Sequence, residues 1–280
     1  MFESVRNVHG SRVGAREESR GGSGVRGKRV LVTGGTRGLG EQIVRLLVAE
    51  GARVATCART ARDLEALELS LRGEDGGPMF TRALDVTEPE RLERFVTASA
   101  KRLGGLDGVV ACAGGSHGGG FERTDAADWA ATWELNVGHA VRLVRAAIPH
   151  LRDAGGGSVV LISSISGWKP GPPVQYGVAK SAQIHLAASL ARELGPDGIR
   201  VNAVSPGSML IPGRRWDRMR REDPERFAGF AAAELPGGEP VAPQEVARVV
   251  AFLLSDWSSG VSGAHVPVDR AQNAPSPDGY

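Results

Sequence analysis

From residue 28 onward the chain alternates short apolar runs with amphipathic stretches, and this alternation restricts its possible folds more than any other feature. Strand-like runs stand at 29–33, 53–57, 79–84, 106–111, 158–163, 199–204 and 264–268. Between them, apolar residues recur at helical spacing. Leu39, Ile43, Leu46 and Leu47 share one face, a helical stretch covers 60–71, and Leu92, Val96 and Leu103 mark another helix. A long helical segment runs through 129–151, Leu186, Leu190 and Leu194 lie within a helix at 174–194, and a last helix covers 243–254. Seven strands with interleaved helices predict an α/β fold: a doubly wound parallel sheet with helices on both faces, in a single domain.

Composition removes other classes. With 41% hydrophobic and 24% charged residues, the chain can bury a sizeable core. Its 39 glycines are about twice the usual share but follow no three-residue period, which excludes collagen. The formal charge is +2, and residues 1–27, with five arginines and three glutamates, carry all of it. A neutral body has no footprint for nucleic acid. No apolar run reaches the roughly 18 residues of a membrane span, and no secretory signal core opens the chain, so a soluble, cytoplasmic protein is expected. Residues 1–27 read as a flexible extension and 28–280 as the folded domain, with a lid insertion at about 208–240. Cys57 and Cys112 sit in strand-like runs as small hydrophobes, and the scattered histidines suggest no metal site.

Directly after the first strand stands Thr33-Gly34-Gly35-Thr36-Arg37-Gly38-Leu39-Gly40, opening a helix. Phosphates need close backbone approach and free N–H groups at a helix N-terminus, and glycines at 34, 38 and 40 meet that need. The turn gives the sheet a Rossmann-type character. About 20 residues on, where an acid would bind a ribose 2′-hydroxyl, the chain has Thr56-Cys57-Ala58-Arg59. Arg37 and Arg59 instead suit a 2′-phosphate, so NADP(H) is expected over NAD(H). Asp85-Val86 ends the third strand. Asp85 either accepts from an adenine amino group or caps the next helix.

Tyr176 and Lys180 are four residues apart, on one face of a helix. A nearby ammonium favours phenolate and would lower the tyrosine pKa, giving a general acid/base pair. Ser164 lies twelve residues upstream, at the end of the fifth strand, where ligands of such sheets bind.

Taken together, residues 28 to 270 resemble the short-chain dehydrogenase/reductase family, its NADP-preferring 3-oxoacyl reductase-like members in particular. The likeness rests on Thr33-Gly34-xxx-Gly38-x-Gly40, Asp85-Val86, Ala113-Gly114, Leu135-Asn136-Val137, Ser164, Tyr176-xxx-Lys180 and Asn202-Ala203-Val204-Ser205-Pro206-Gly207. The resemblance implies that Tyr176 donates a proton to a substrate carbonyl, or takes one from an alcohol, as hydride passes to or from the nicotinamide. Lys180 would hold the ribose and lower the tyrosine pKa, and Ser164 would steady the substrate oxygen. Asn136 would interrupt its helix and hold a water in a relay with Lys180. Gly34, Thr36, Arg37, Gly38, Leu39, Gly40, Arg59, Asp85, Val86, Ala113, Gly114, Tyr176, Lys180, Pro206 and Gly207 would line the cofactor site. A homotetramer is implied as well. The reaction expected is NADP(H)-dependent interconversion of a ketone and a secondary alcohol, in the reductase direction. A non-catalytic NADP(H) sensor, and an isomerase or dehydratase using transient oxidation, stay open beside it.

The chain departs from the family pattern at four places. Ala111-Cys112-Ala113-Gly114 lacks a bracing asparagine; the serine-to-tyrosine interval would also admit Ser163; Ser208 replaces a threonine that touches the carboxamide; and Asp269-Arg270-Ala271 replaces Asp-Gly-Gly. The lid carries Arg214, Arg215, Arg218, Arg220 and Arg221 beside Trp216, Met219, Phe227 and Phe230. Its arginines could meet an anionic handle, although Asp217, Glu222, Asp223 and Glu225 offset them. Residues 168–173, rich in proline, would form the opposite wall.

Overall fold

The computed structural model describes residues 24–73, 79–171 and 173–273. All seven strands are present: β1 Arg29–Thr33, β2 Arg53–Ala58, β3 Phe80–Ala83, β4 Gly108–Ala111, β5 Gly157–Ile162, β6 Ile199–Pro206 and β7 His265–Val268. They form one parallel sheet in the order β3-β2-β1-β4-β5-β6-β7. The order reverses between β1 and β4, and a crevice opens there at the strand C-termini.

Alternation along each strand divides the core between two faces. Leu31, Val109, Val159, Leu161 and Val201 meet helices α3 (Pro89–Leu103), α5 (His139–Asp153) and α6 (Val174–Leu194) through Leu92, Phe95, Leu143, Leu151 and Leu194. Val30, Val32, Val110, Val160 and Val204 meet α1 (Gly38–Ala49) and α9 (Pro243–Leu254) through Ile43, Leu47, Val246, Val250 and Leu254. Each such buried leucine or isoleucine contributes roughly 1.5–3 kcal/mol relative to exposure. Helix α2 (Ala61–Ser70) packs beside β2 and β3, and α4 (Ala126–Trp133) lies against α6. Among the described residues no helix is long and apolar enough to cross a membrane.

Two sequence expectations change. Packing starts before residue 28, because Val25 is fully buried in the cluster of α1 and α9 and the Gly27 N–H donates to the Gly51 carbonyl. Residues 1–23 lie outside the described residues. The expected long helix through 129–151 is divided into α4 and α5 by a π-helical turn, Glu134–Gly138, in which the His139 N–H reaches the Glu134 carbonyl. Asn136, which the family resemblance has interrupting its helix, stands within this turn. Its amide nitrogen donates to the Thr132 carbonyl at 2.6 Å and to the Gly115 carbonyl at 2.7 Å, which competes with the regular helical ladder.

After β7 the chain turns through Arg270 (φ 52°) and Ala271 (φ 66°), both in the left-handed region. The Asp269 carboxylate holds this turn by accepting from the Ala271 and Asn273 N–H groups, and Arg270 pairs with Glu245 at 2.9 Å. A left-handed conformation costs a residue with a β-carbon about 1 kcal/mol. Ala271→Gly is therefore expected to raise stability by about 0.5–1 kcal/mol in urea unfolding; a loss of stability would show that the turn is not strained at Ala271.

Candidate active site

The crevice at the sheet reversal is a cavity of about 1120 Å³. One flank is the glycine turn between β1 and α1. Gly34 sits at φ 75°, and a β-carbon there would lie 3.2 Å from the Ala113 Cα. At Gly40 a β-carbon would come within 2.2 Å of the Gly34 carbonyl oxygen. The turn folds this tightly only with glycine at both positions, and the Thr33 hydroxyl pins it to β4 by accepting from the Cys112 and Ala113 N–H groups at 3.0 and 3.2 Å.

Every residue expected at the cofactor site lines this one cavity: Gly34, Thr36, Arg37, Gly38, Leu39, Gly40, Arg59, Asp85, Val86, Ala113, Gly114, Tyr176, Lys180, Pro206 and Gly207. Asp85 does not cap α3, whose N-cap is Glu88; its carboxylate accepts from the Thr87 N–H and hydroxyl instead. Burial works against that carboxylate, but the two Thr87 hydrogen bonds, with Arg59 and Arg91, hold its pKa below the usual value. Arg37, Arg59 and Arg214 gather at this end. The Arg37 pKa is lowered, first by burial and then by the Arg214 and Arg59 charges, with Asp63 opposing. The lid thus brings a third arginine that the sequence did not place here.

At the other end stand Ser164, Tyr176 and Lys180, all on the cavity wall. The Ser164 side chain accepts from the Ser166 N–H at 3.1 Å and stands near enough to the Tyr176 phenol to act on its pKa. Ser163 is buried, and its hydroxyl donates to the Lys180 carbonyl at 2.8 Å, so its hydrogen is committed to the backbone of α6. Burial pushes the Tyr176 phenol above its ordinary value, with the Ser164 side chain opposing. Burial outweighs the lowering expected from Lys180, whose ammonium lies over the ring face, 5.4 Å from its centroid, and donates to the Ile162 carbonyl and to Gln183 Oε1 at 2.8 Å each. Burial lowers the Lys180 pKa to about 8.

Asn136 is fully buried and off the cavity wall. Besides donating to the carbonyls of Thr132 and Gly115, its side chain accepts from the Gly115 N–H at 3.3 Å, which shapes the loop after β4. Its link to Lys180 runs through Gln183, whose amide nitrogen donates to the Asn136 carbonyl at 3.0 Å. Sequence reading missed Gln183, though its place three residues after Lys180 on α6 was a usable signal. It also missed His139, which contacts the Leu135 carbonyl at 2.6 Å and the Thr33 hydroxyl at 3.5 Å; burial lowers its pKa to about 4, so it is neutral.

The outer wall is the lid, α7 (Arg215–Glu222) and α8 (Pro224–Glu234). Trp216 and Phe230 stack at 3.9 Å and face the cavity, whereas Met219 and Phe227 do not line it. Arg220 and Arg221 pair with Asp217, leaving Arg214 and Arg215 on the cavity wall. Opposite, Lys169, Pro170, Gly171 and Pro173 line the cavity, while Trp168 is exposed and meets His265 edge-on; Pro172 lies outside the described residues. Lys169 bridges the two walls through an ion pair with Glu234. The Ser208 hydroxyl is taken by Gln272, whose amide donates to it at 2.9 Å and accepts from the Ser208 N–H at 2.7 Å.

A family model described as enoyl-(acyl carrier protein) reductase matches residues 34–270. The chain belongs to the short-chain dehydrogenase/reductase family. Within that family it is similar to isoepoxydon dehydrogenase patN of Penicillium expansum, 36% identical over 88% of this chain and 95% of that protein. It is 30% identical to the 3-oxoacyl-[acyl-carrier-protein] reductase FabG of Thermotoga maritima over 87% of this chain and 96% of that one. Among solved structures, a short-chain type dehydrogenase/reductase from Mycobacterium ulcerans superposes with a TM-score of 0.83 at 33% identity, covering 88% of this chain and 90% of that one. Membership carries an oxidoreductase acting between carbonyl and alcohol with a nicotinamide cofactor.

The two serines make a direct comparison. Ser164→Ala is expected to reduce turnover about 100-fold or more while leaving stability nearly unchanged. Ser163→Ala is expected to cost about 1 kcal/mol of stability with a smaller effect on turnover. The reverse pattern in steady-state kinetics and urea unfolding would assign the role to Ser163.

Proposed function

We propose that the protein is an NADP(H)-dependent carbonyl reductase, interconverting a ketone and a secondary alcohol with Tyr176 as general acid/base. The observation that carries this reading is the placement of Ser164, Tyr176 and Lys180 at one end of a single cavity whose other end gathers Arg37, Arg59 and Arg214. The close glycine turn fits a dinucleotide, since Gly34 holds a left-handed conformation and a β-carbon at Gly40 would collide with the Gly34 carbonyl that forms the cradle. A bound nicotinamide supplies hydride to the carbonyl carbon. Tyr176, held as neutral phenol by burial, has the proton that the carbonyl oxygen needs as it becomes an alcohol. Ser164 donates a hydrogen bond to the same oxygen and steadies its developing charge. Lys180 offers its remaining N–H to the cavity and favours the phenolate left behind.

The three arginines support a 2′-phosphate on the cofactor, because their guanidinium forks suit its oxygens and Asp63 and Asp85 offset only part of their charge. Arg214 belongs to this end and suits the cofactor's phosphate, while Arg215 on the same wall is left for an anionic handle on the substrate. The stacked Trp216 and Phe230 suit a largely apolar substrate. The likeness to a 3-oxoacyl-[acyl-carrier-protein] reductase and to an isoepoxydon dehydrogenase supports 3-oxoacyl thioesters and isoepoxydon as the first substrates to try. Trp133, Val141, Val174 and Val178, all exposed on or beside α5 and α6, offer apolar surface for the proposed homotetramer.

Tyr176→Phe is expected to lower turnover at least about 100-fold and to leave NADPH binding, followed by fluorescence titration, within about twofold. Retained turnover would remove the tyrosine from the chemistry. Arg59→Asp is expected to move the kcat/KM ratio of NADPH over NADH toward NADH by about tenfold or more, and Arg214→Ala in the same direction by less. An unchanged ratio in both variants would remove the 2′-phosphate assignment.

A further inference from the structure

Lys180 is a buried cation whose surroundings decide how its charge is used. An ammonium has three donors. One goes to the Ile162 carbonyl and one to Gln183 Oε1, each at 2.8 Å, which leaves the third for the cavity that Lys180 lines. Gln183 is itself fully buried, and its amide orientation is fixed because Nε2 donates to the Asn136 carbonyl at 3.0 Å. That carbonyl lies in the π-helical turn, itself set by the bonds of the Asn136 side chain to Thr132 and Gly115. A chain of contacts therefore runs from the loop after β4, through Asn136 and Gln183, to the ammonium.

We infer that Gln183 is a positioning residue of the catalytic site, whose amide orients the Lys180 ammonium and ties it to the Asn136 carbonyl. It spans directly the two groups that the family likeness joins through a water. A primary amide accepts and donates hydrogen bonds but does not pass a proton on at neutral pH, so Gln183 is a strut and not a relay. The titratable groups that face Lys180 are Tyr176 on its own helix, Cys112 after β4 and His139 on α5. Burial pushes the Cys112 thiol up to about 12 and lowers His139 to about 4, and the Tyr176 phenol is raised, so none carries charge near neutrality. Among the described residues, the side chain that favours the charged form of Lys180 by accepting from it is Gln183.

The inference rests on the acid/base reading of Tyr176 and Lys180, and its test has a readout that needs no turnover. The chain has four lysines, Lys28, Lys101, Lys169 and Lys180, so the ¹³Cε resonance of Lys180 is assignable by its absence from the Lys180→Met spectrum. In the full-length protein it is expected to titrate near 8. Gln183→Met, of similar volume but without the acceptor, is expected to lower that midpoint by about one pH unit, and Gln183→Glu to raise it by about one unit. The high-pH limb of kcat/KM should move with the midpoint in both variants. If Gln183→Met fails to fold, the upward shift in Gln183→Glu decides alone. A Lys180 midpoint that stays put in the folded variants, with only stability changed, overturns the inference. If Tyr176→Phe keeps its turnover, the acid/base reading falls instead, and the titration still reports on Gln183 separately.

Discussion

The cost of burying one ammonium organises the active end of this fold. Lys180 sits away from bulk water, and an ionised amine there is stable only with acceptors around it. The sheet supplies one through the last residue of β5, and α6 supplies the other through Gln183. Gln183 in turn needs an acceptor for its own amide hydrogens and finds it at Asn136. The π-helical turn, the loop after β4 and the crossing of α6 over β5 are thus tied to one charged group, and Tyr176, one turn before it, shares that placement.

The other end of the cavity depends on the absence of atoms. Gly34 and Gly40 let the chain fold onto itself between β1 and α1, and the Thr33 hydroxyl fastens that turn to the end of β4. No asparagine follows Ala111 to brace this junction. Cys112 stands there, its backbone N–H held by Thr33, while His139 reaches the same hydroxyl from α5. Across the cavity, the left-handed turn at Arg270 and Ala271 returns Gln272 onto Ser208, where the lid begins. The chain keeps a glycine-type conformation there without its glycines.

What was legible in the sequence was what rests on period and spacing. Strands buried on both faces announce themselves as apolar runs, so the order of elements could be read directly, and a Tyr and a Lys four apart must share a helix face. Hidden features depended on contacts distant along the chain. The break at 134–138 was open to the family resemblance through Asn136 but not to periodicity, since that side chain bonds to a loop some 20 residues earlier. Equally hidden was that α6 claims the Ser163 hydroxyl through the Lys180 carbonyl. Arg214 looked like one of five lid arginines until the fold set it beside Arg37, with Asp217 pairing two of the others. Tyr176 shows why a pKa resists sequence reasoning: proximity to a lysine was foreseen, but burial outweighs it.

The central claim is that hydride crosses this cavity from a nicotinamide to a carbonyl carbon. Its most direct measurement is isotopic: NADPH deuterated at either face of C4, incubated with the enzyme and a panel of ketones that includes a 3-oxoacyl thioester and cyclic diketones, with the alcohol products read by mass spectrometry and NMR. One of the two labelled cofactors is expected to deliver a single deuterium to the carbinol carbon, and the other to deliver none. Alcohol formed without deuterium from either cofactor, or no alcohol from any ketone despite tight NADPH binding, would contradict it.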